Sequence, residues 1–377
     1  LVRVAAELHN KGINVLFADA VGQDDKNSTK MMYWIWQGGL LLPDRDYYFN
    51  TDAATVGTRG AFKEYIAKTL RRLDPGNANV DKRADAVFEL EKKLAGKSRK
   101  LGDLRDPEAN YHKMDIKQLQ ALAPKINWSL YTKGIGIANL DSLIVGQPEF
   151  LSSLSEQVIA TSLDTWKDYL RVQVIHAMAP YLDSSTYRDY FTYRSKLYGV
   201  PKQRPRWKRV LQAQANAMGE AVGELFVKDY FNERTKDRYV KMVEAVRSAF
   251  QNRIEHLSWM SDTTKQKALM KLSSMTYKVG YPDKWKDFSA LKIDRESYVL
   301  NVQRANTWWH QREINKLGRP VDKTEWKMTP QTYDAYYSPS NNEILLPAAI
   351  FIVPGKKDEE LDDAFVYGNA AAATIGH

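Results

Sequence analysis

The chain has 377 residues, a formal net charge of +9 and no cysteine. A single hydrophobic core stops growing at about 250–300 residues, so this length favours two domains. The lack of cysteine excludes disulfides, thiolate nucleophiles and cysteine-ligated zinc. No stretch approaches the roughly 20 consecutive apolar residues of a membrane span, and 44% hydrophobic with 27% charged residues is ordinary for a globular protein.

The first half of the chain is predicted to be short strands followed by many helices. Residues 1–12 predict a helix that Gly12 ends, and residues 15–17 and 30–42 predict strands, the second ended by Pro43. From residue 52 to about residue 251, apolar residues recur at helical spacing. The helices predicted there are 58–72, 80–97, 116–122, 153–178, 184–198, 206–231 and 234–259.

Aromatic residues form stripes along these helices. We expect them to pack in the core, because aromatic side chains dominate cores by buried area; a ligand-lining surface is the alternative. The residues concerned are Trp166, Tyr169, Tyr181, Tyr187, Tyr190 and Tyr193.

A basic cluster beside Trp207 raises the question of nucleic-acid binding. Its members are Lys202, Arg204, Arg206, Lys208 and Arg209. We favour the solvated first turns of a helix, because no binding motif accompanies the cluster and the 46 acidic residues are spread throughout the chain. We therefore expect no nucleic-acid partner.

The last hundred residues have a different pattern, and we place a domain boundary near residues 280–295. One further helix is predicted at 298–316. Aromatic residues at 334–337, turn residues at 338–342 and apolar residues up to Pro347 then predict a β-hairpin. Asp362 or Asp363 can cap a final helix that contains the alanines of 370–373.

The order of these motifs resembles the neprilysin family of zinc metallopeptidases, which includes the endothelin-converting enzymes and the bacterial oligopeptidases called PepO. That family has Asn-Ala-Tyr/Phe-Tyr, a turn, Asn-x-Ile-x-Phe-Pro-Ala, then Tyr-Gly and Ile-Gly-His-Glu. The matching residues are Ala335, Tyr336, Tyr337, Asn342, Ile344, Pro347, Ala348, Tyr367, Gly368, Ile375, Gly376 and His377. Other blocks, such as Arg206-Trp207 and Gly280-Tyr281-Pro282-Asp283, follow the family order, so the resemblance covers nearly the whole chain.

The resemblance implies a mainly α fold: a multi-helical cap domain and the first part of an α+β, thermolysin-like zinc peptidase domain. We expect residues 1–285 to form the mostly helical domain. Residues 286–377 would form the N-terminal part of the catalytic domain, incomplete in this chain. For residues 1–20, packing on the catalytic domain is the alternative.

The resemblance also implies that His377 is a zinc ligand, the first histidine of H-E-x-x-H. In such a motif two histidines four residues apart bind one zinc ion, and the glutamate after the first is the general base. Bound zinc lowers the pKa of a water from about 15.7 to about 7. Because the chain ends at His377, we expect no catalytic residue within it. The alternative is a terminal histidine without a role; the scattered His9, His112, His176, His256 and His310 are expected to be structural or exposed.

The strand that begins at Asp334 is the predicted substrate-binding element. An exposed edge strand can bind an extended peptide through backbone groups. The resemblance implies roles for Asp334, Ala335 and Tyr336, because the family's asparagine holds the substrate backbone and the next alanine contributes its carbonyl. An ionised Asp334 in place of asparagine can only accept hydrogen bonds, so we predict altered affinity on the primed side. For Tyr336 and Tyr337, packing within the hairpin is the alternative.

Together these features predict a zinc-dependent metalloendopeptidase that cleaves oligopeptides in an enclosed cavity, with this chain as its large N-terminal piece. We expect this polypeptide alone to be inactive and to associate with a complementary C-terminal fragment. The alternative is a non-catalytic fragment that acts in folding, docking or peptide binding. The chain starts without Met, so we expect an upstream segment to have been removed. The resemblance implies disulfide-braced ectodomains in animal members, so a chain without cysteine favours a bacterial member. We expect a location in the periplasm, the cell envelope or the medium; the cytoplasm is the alternative.

Overall fold

The computed structural model of the protein describes residues 1–366, 368 and 375. This part of the chain is mainly helical, which confirms the predicted class. Its helices are α1 (Val2–Asn10), α2 (Asp46–Phe49), α3 (Ala53–Leu73), α4 (Val80–Gly96), α5 (Ile116–Leu122), α6 (Trp128–Gly134), α7 (Pro148–Ala160), α8 (Leu163–Met178), α9 (Ser184–Tyr198), α10 (Arg206–Tyr230), α11 (Glu233–Glu255), α12 (Asp262–Ser273), α13 (Tyr298–Ile314) and α14 (Asp363–Val366). No helix among them combines the length and the apolar composition of a membrane-spanning segment.

The strands of the same residues form two small sheets. They are β1 (Phe17–Asp24), β2 (Asn27–Gln37), β3 (His112–Met114), β4 (Leu143–Val145), β5 (Thr276–Gly280), β6 (Tyr336–Ser338) and β7 (Glu343–Pro347). The order of the first sheet is β1-β2-β4-β3, and the order of the second is β5-β7-β6.

The chain divides into two compact units. Unit 1 consists of Leu1–Leu211 and Leu291–Val321, and unit 2 of Gln212–Ala290 and the described residues from Asp322 onward. The division after residue 290 lies in the predicted boundary region at 280–295. The division after residue 211 was not predicted, because it falls within α10, which is one uninterrupted helical pattern in the sequence. The division after residue 321 was not predicted either. The assignment of residues 1–285 and 286–377 to a helical and a catalytic domain stays a prediction.

The prediction of a single helix over residues 153–178 is wrong. Helix α7 ends at Ala160, Thr161 is extended, and α8 begins two residues later. The Ser162 side chain accepts a hydrogen bond from the Thr165 N–H at 3.2 Å and caps α8. The apolar spacing continues across this break, so periodicity alone could not locate it.

Strands β3 and β4 were missed within a region interpreted as helical. Strand β4 pairs in parallel with β2 and antiparallel with β3. Its three residues are all buried. A buried apolar run of this length cannot be distinguished from a helix segment by periodicity.

The core of unit 1 packs helices against the first sheet around buried aromatic side chains. Of the predicted aromatic stripe, Trp166, Tyr169 and Tyr193 are buried, as expected for a helix-packing core. Tyr181, Tyr187 and Tyr190 are half-buried.

A polar network lies inside this core. The His9 Nδ1 atom lies 2.8 Å from Asp19 Oδ1 and 2.6 Å from the Tyr131 hydroxyl. The Tyr33 hydroxyl donates to Asp19 Oδ2 at 2.6 Å. Burial raises the pKa of Asp19, but the hydrogen bond and charge of His9 and the Tyr33 hydrogen bond lower it more. Asp19 is therefore held as a carboxylate by buried donors.

Unit 2 packs α11 and the last turns of α10 against the second sheet. Helix α10 is kinked at Met218, whose φ of −145° and ψ of 42° are not helical. Beyond the kink, Phe231 of the α10–α11 turn stacks near Tyr239, and Tyr239 stacks on Phe351 with ring centroids 4.1 Å apart. Val366 and Ile375 are buried in the same cluster. This core therefore lies under both the hairpin and the segment that follows it.

Candidate functional site

Strand β6 is the edge of the second sheet. It pairs antiparallel with β7, with Tyr336 opposite Leu345 and Ser338 opposite Glu343. Strand β7 lies in the middle, because β5 pairs with its other side in parallel. Within the described residues, no strand pairs with the outer edge of β6. The predicted hairpin is confirmed, and it presents a backbone edge of the kind that binds extended peptides.

The turn of this hairpin is fixed by Asn342. Its backbone is left-handed, with φ of 48°, a conformation that asparagine tolerates better than most residues. The Asn342 Nδ2 atom donates to the Lys271 carbonyl at 2.8 Å and to Ser274 Oγ at 2.9 Å. The Tyr337 hydroxyl donates to Asn342 Oδ1 at 2.9 Å. The turn is thus tied to the end of α12 and to the exposed face of β6.

A buried ion pair on the neighbouring strands β5 and β7 lies beside Tyr336. Glu343 Oε2 and Lys278 Nζ are 2.7 Å apart, with 2% and 12% of their side chains exposed. Lys278 also donates to the Glu325 carbonyl at 2.8 Å. The Tyr336 hydroxyl donates to Glu343 Oε1 at 3.3 Å. Burial, followed by the charge of Glu343, raises the pKa of Tyr336 to about 12, so the phenol remains a donor at neutral pH.

Of the predicted substrate-binding residues, Tyr336 begins β6 and the other two precede it, so the strand starts two residues later than predicted. Asp334 is exposed, and its Oδ1 atom accepts a hydrogen bond from the Ala335 N–H at 2.8 Å. Ala335 packs against the unit 2 core. The neighbouring rings of Tyr333 and Tyr337 are 80% and 41% exposed. Asp334 and Ala335 therefore lead directly into the edge strand at Tyr336; the role of these three residues in binding stays a prediction.

His377, the predicted zinc ligand, lies outside the described residues, as do the alanines 370–373. Ile375 is 7% exposed and belongs to the unit 2 core. The predicted cap of the final helix is confirmed at its start, because Asp362 Oδ1 accepts from the Phe365 N–H at 2.7 Å. The segment that leads to His377 therefore has buried apolar anchors at Val366 and Ile375.

A model of peptidase family M13 matches residues 1–282. The chain belongs to peptidase family M13. This membership confirms the family resemblance that the hairpin and the ordered motifs indicated.

Curated relatives of this M13 chain carry neprilysin-type names. Neprilysin-3 of Drosophila melanogaster is 32% identical over 367 residues, which are 92% of this chain and 47% of the relative. An endothelin-converting enzyme homolog of Locusta migratoria is 32% identical over 362 residues, 90% of this chain and 49% of the relative. The chain spans about half the length of the curated relatives it matches.

Solved structures agree with the family. The zinc metalloprotease Zmp1 of Mycobacterium tuberculosis, in complex with an inhibitor, matches with a TM-score of 0.91 at 35% identity, over 100% of this chain and 57% of that one. PepO from Lactobacillus rhamnosis matches with a TM-score of 0.86 at 20% identity, over 100% of this chain and 60% of that one. The PepO likeness concerns the fold alone.

Zinc is implied by the family and by the Zmp1 structure. In the described part of the chain, no three side chains of His, Asp or Glu come together as a metal site would require. The described residues alone therefore do not complete a zinc site, and the predicted ligand His377 lies outside them.

The residues behind the edge strand were not found from the sequence. Lys278 and Glu343 are 65 positions apart and meet because β5 and β7 are parallel neighbours. Glu343 follows a turn and resembles the solvated end of a strand. The sequence does place Lys278 between two apolar residues, Tyr277 and Val279. This signal identifies Glu343 as the partner of Lys278 only once the pairing of β5 with β7 is known.

Proposed function

We propose that this chain supplies the substrate-binding edge and the first zinc ligand of a zinc-dependent metalloendopeptidase that cleaves oligopeptides in an enclosed cavity. The observation that carries the proposal is the outer edge of β6, which has no strand partner among the described residues. Membership in peptidase family M13 supports the reaction class, and the likeness to zinc metalloprotease Zmp1 supports the metal.

An extended peptide beside β6 would add a strand to the order β5-β7-β6. Its N–H and C=O groups would pair with backbone groups near residues 334–338, which makes few demands on the substrate's side chains. Asp334 would accept a hydrogen bond from a substrate N–H. One of its oxygens already accepts from Ala335, and its other oxygen has no hydrogen-bond partner in the described part of the chain.

We propose His377 as the first zinc ligand. The general base and the remaining ligands would lie in the part of the family's length that this chain does not span. The residues of this chain would then bind and orient the peptide, and the metal would supply the activated water. We expect a complementary C-terminal fragment to be needed for turnover.

Peptide hydrolysis by two forms of the protein tests this proposal. We expect residues 1–377, purified and checked by intact mass, to give no turnover of a fluorogenic oligopeptide. A form extended through the rest of the family's length should hydrolyse it, lose activity to a chelator and recover with added zinc. Hydrolysis by residues 1–377 alone, or activity that survives zinc removal, would contradict the proposal.

The role of Asp334 is tested by Asp334→Asn in the extended form. The amide restores a donor beside the acceptor, so we expect KM for peptides with primed-side residues to change by about three- to tenfold. Asp262→Asn is the matched control, because Asp262 is a fully exposed carboxylate on α12 of the same unit. Unchanged kinetics in Asp334→Asn would remove Asp334 from the site.

A further inference from the structure

Arg238 of α11 donates all of its guanidinium hydrogen bonds to one short segment, residues 358–363. Its Nε atom donates to Asp363 Oδ1 at 3.1 Å. Its Nη1 atom donates to the Asp358 carbonyl at 3.0 Å and to Asp358 Oδ2 at 3.2 Å. Its Nη2 atom donates to the Leu361 carbonyl at 2.9 Å and to Asp363 Oδ1 at 2.7 Å. A guanidinium has five N–H donors, so every donor has an acceptor in residues 358–363.

The loop itself carries strong negative charge. Residues 358–363 contain Asp358, Glu359, Glu360, Asp362 and Asp363, with Leu361 as the apolar member. Like charges at this spacing repel one another and favour an open loop. Arg238 pairs with two of these carboxylates, and 22% of its side chain is exposed, so the pairing is partly shielded from water.

The next residue on α11 holds the other end of the same segment. Tyr239 stacks on Phe351 with ring centroids 4.1 Å apart, and its hydroxyl donates to the Phe351 carbonyl at 3.2 Å. Arg238 and Tyr239 therefore fix the two ends of the segment 351–363, which runs from the hairpin to α14. Helix α14 then places Val366 in the core that also contains Ile375.

We propose that Arg238 is a positioning residue of the peptidase site, which fixes the acidic loop 358–363 and through it the segment that leads to His377. This inference rests on the proposed function. All the hydrogen bonds that Arg238 donates among the described residues go to residues 358–363 and none to the edge strand. Its effect on catalysis would come from the placement of the segment, where an error of about 1 Å can cost up to about a hundredfold in rate.

Loop order is measured first, in residues 1–377, by amide hydrogen exchange. Arg238→Ala should raise the exchange rates of amides in 355–366 by about tenfold, because the loop loses its charge-assisted hydrogen bonds. Arg238→Lys keeps the positive charge but has only three donors, so its exchange rates should lie between those of the unchanged protein and those of Arg238→Ala. Arg234→Ala, at an exposed arginine one turn earlier on α11, is the control and should match the unchanged protein. Unaltered exchange in Arg238→Ala would show that Arg238 does not fix the loop.

Catalysis and zinc content are measured next, in the form extended through the family's length. Arg238→Ala should lower kcat at least about tenfold with KM nearly unchanged, and its zinc affinity should fall; Arg238→Lys should recover part of both. Asp363→Asn, a milder change at a largely exposed carboxylate, should give a smaller loss in the same direction.

The outcomes separate this inference from the proposed function. A freed loop with unchanged kcat and unchanged zinc affinity would overturn the positioning role, while peptidase activity would still support the proposed function. Absence of hydrolysis in the unsubstituted extended form would contradict the proposed function, and the exchange measurement would still decide whether Arg238 fixes the loop.

Discussion

In unit 1 a buried polar network lies inside the main core, whereas in unit 2 one buried ion pair lies in the sheet that carries the candidate site. His9, Asp19, Tyr33 and Tyr131 join elements of unit 1 that are far apart in sequence. In unit 2, Lys278 of β5 and Glu343 of β7 pair within the sheet that has β6 as its edge. One set of buried polar contacts therefore lies in the core of unit 1, and the other lies at the hairpin of unit 2.

This difference has an energetic consequence. Removal of one partner of a buried ion pair is costly because the other charge is left uncompensated. In unit 1 the loss of Asp19 would leave buried hydrogen-bonding groups unpaired in the core, so it should appear as a loss of global stability. In unit 2 the cost of an uncompensated charge falls on a hairpin at the rim, so it should appear first as local opening. The predictions below separate these two cases, and they are ordered from the largest expected effect to the smallest.

Asp19→Ala should have the largest effect on stability. It leaves His9 and the Tyr33 hydroxyl without their shared buried acceptor, so the free energy of unfolding should fall by about 3–5 kcal/mol. Denaturant unfolding measures this. Asp85→Ala is the control, because Lys63 and Asp85 form an exposed pair, worth less than about 1 kcal/mol. Equal effects from the two substitutions would contradict the role of the buried network.

Lys278→Met should act locally, at a cost of about 3 kcal/mol concentrated on the hairpin. Glu343 would lose its cation, and the amides of β6 and of the turn should exchange faster while those of unit 1 are unaffected. The double substitution Lys278→Met with Glu343→Gln should recover part of the loss, since no buried charge remains. A uniform increase in exchange across both units would show that this ion pair stabilises the whole chain and not only the hairpin.

Acid should weaken unit 1 through His176. The ring lies among Tyr65, Tyr190 and Tyr193, and burial, with a smaller contribution from the Arg194 charge, lowers its pKa to about 4. An unfolded histidine titrates near 6.5, so the unfolded state binds the proton first, and stability falls as pH drops from about 6.5 to 4.

The loss attributable to His176 should reach about 2 kcal/mol at pH 4.5 relative to pH 8. His176→Phe keeps an aromatic ring in place without a titrating group, so the difference between this variant and the unchanged protein isolates the effect. Denaturant unfolding at both pH values gives that difference. The same pH dependence in both proteins would exclude His176 as its source.

Tyr336→Phe should have the smallest effect, about 1 kcal/mol, because it removes one hydrogen bond to Glu343 and leaves the ring in place. Unfolding of the hairpin region, followed by hydrogen exchange, measures it. A loss as large as that of Lys278→Met would mean that the phenol, and not the ammonium, is the main partner of Glu343.

The helices and the hairpin could be predicted because their signals are local. Helix α9 was predicted at its observed bounds, and the structure shows that Asp183 and Gly199 are its caps. The hairpin was predicted from its turn residues and from Pro347. The pairing of β2 with β4 could not be predicted, because the partner strand lies more than a hundred residues further along the chain.

The candidate site was predictable only in part, for the same reason. Asp334, Ala335 and Tyr336 lie in one stretch and were found by their order. Lys278 of β5 contacts the hairpin, and Arg238 of α11 contacts the loop after it. Both contacts depend on tertiary packing. A lysine in a strand or an arginine on a helix is ordinary in sequence, and its hydrogen-bond partners become visible only in the fold.

The central claim is that the outer edge of β6 binds an extended peptide. The most direct test is a structure of the family-length form with a non-hydrolysable peptide analogue. The account predicts that the analogue's backbone pairs with residues near 334–338 as an added strand, with a substrate N–H at Asp334. An analogue bound elsewhere, with the β6 edge unpaired, would contradict it.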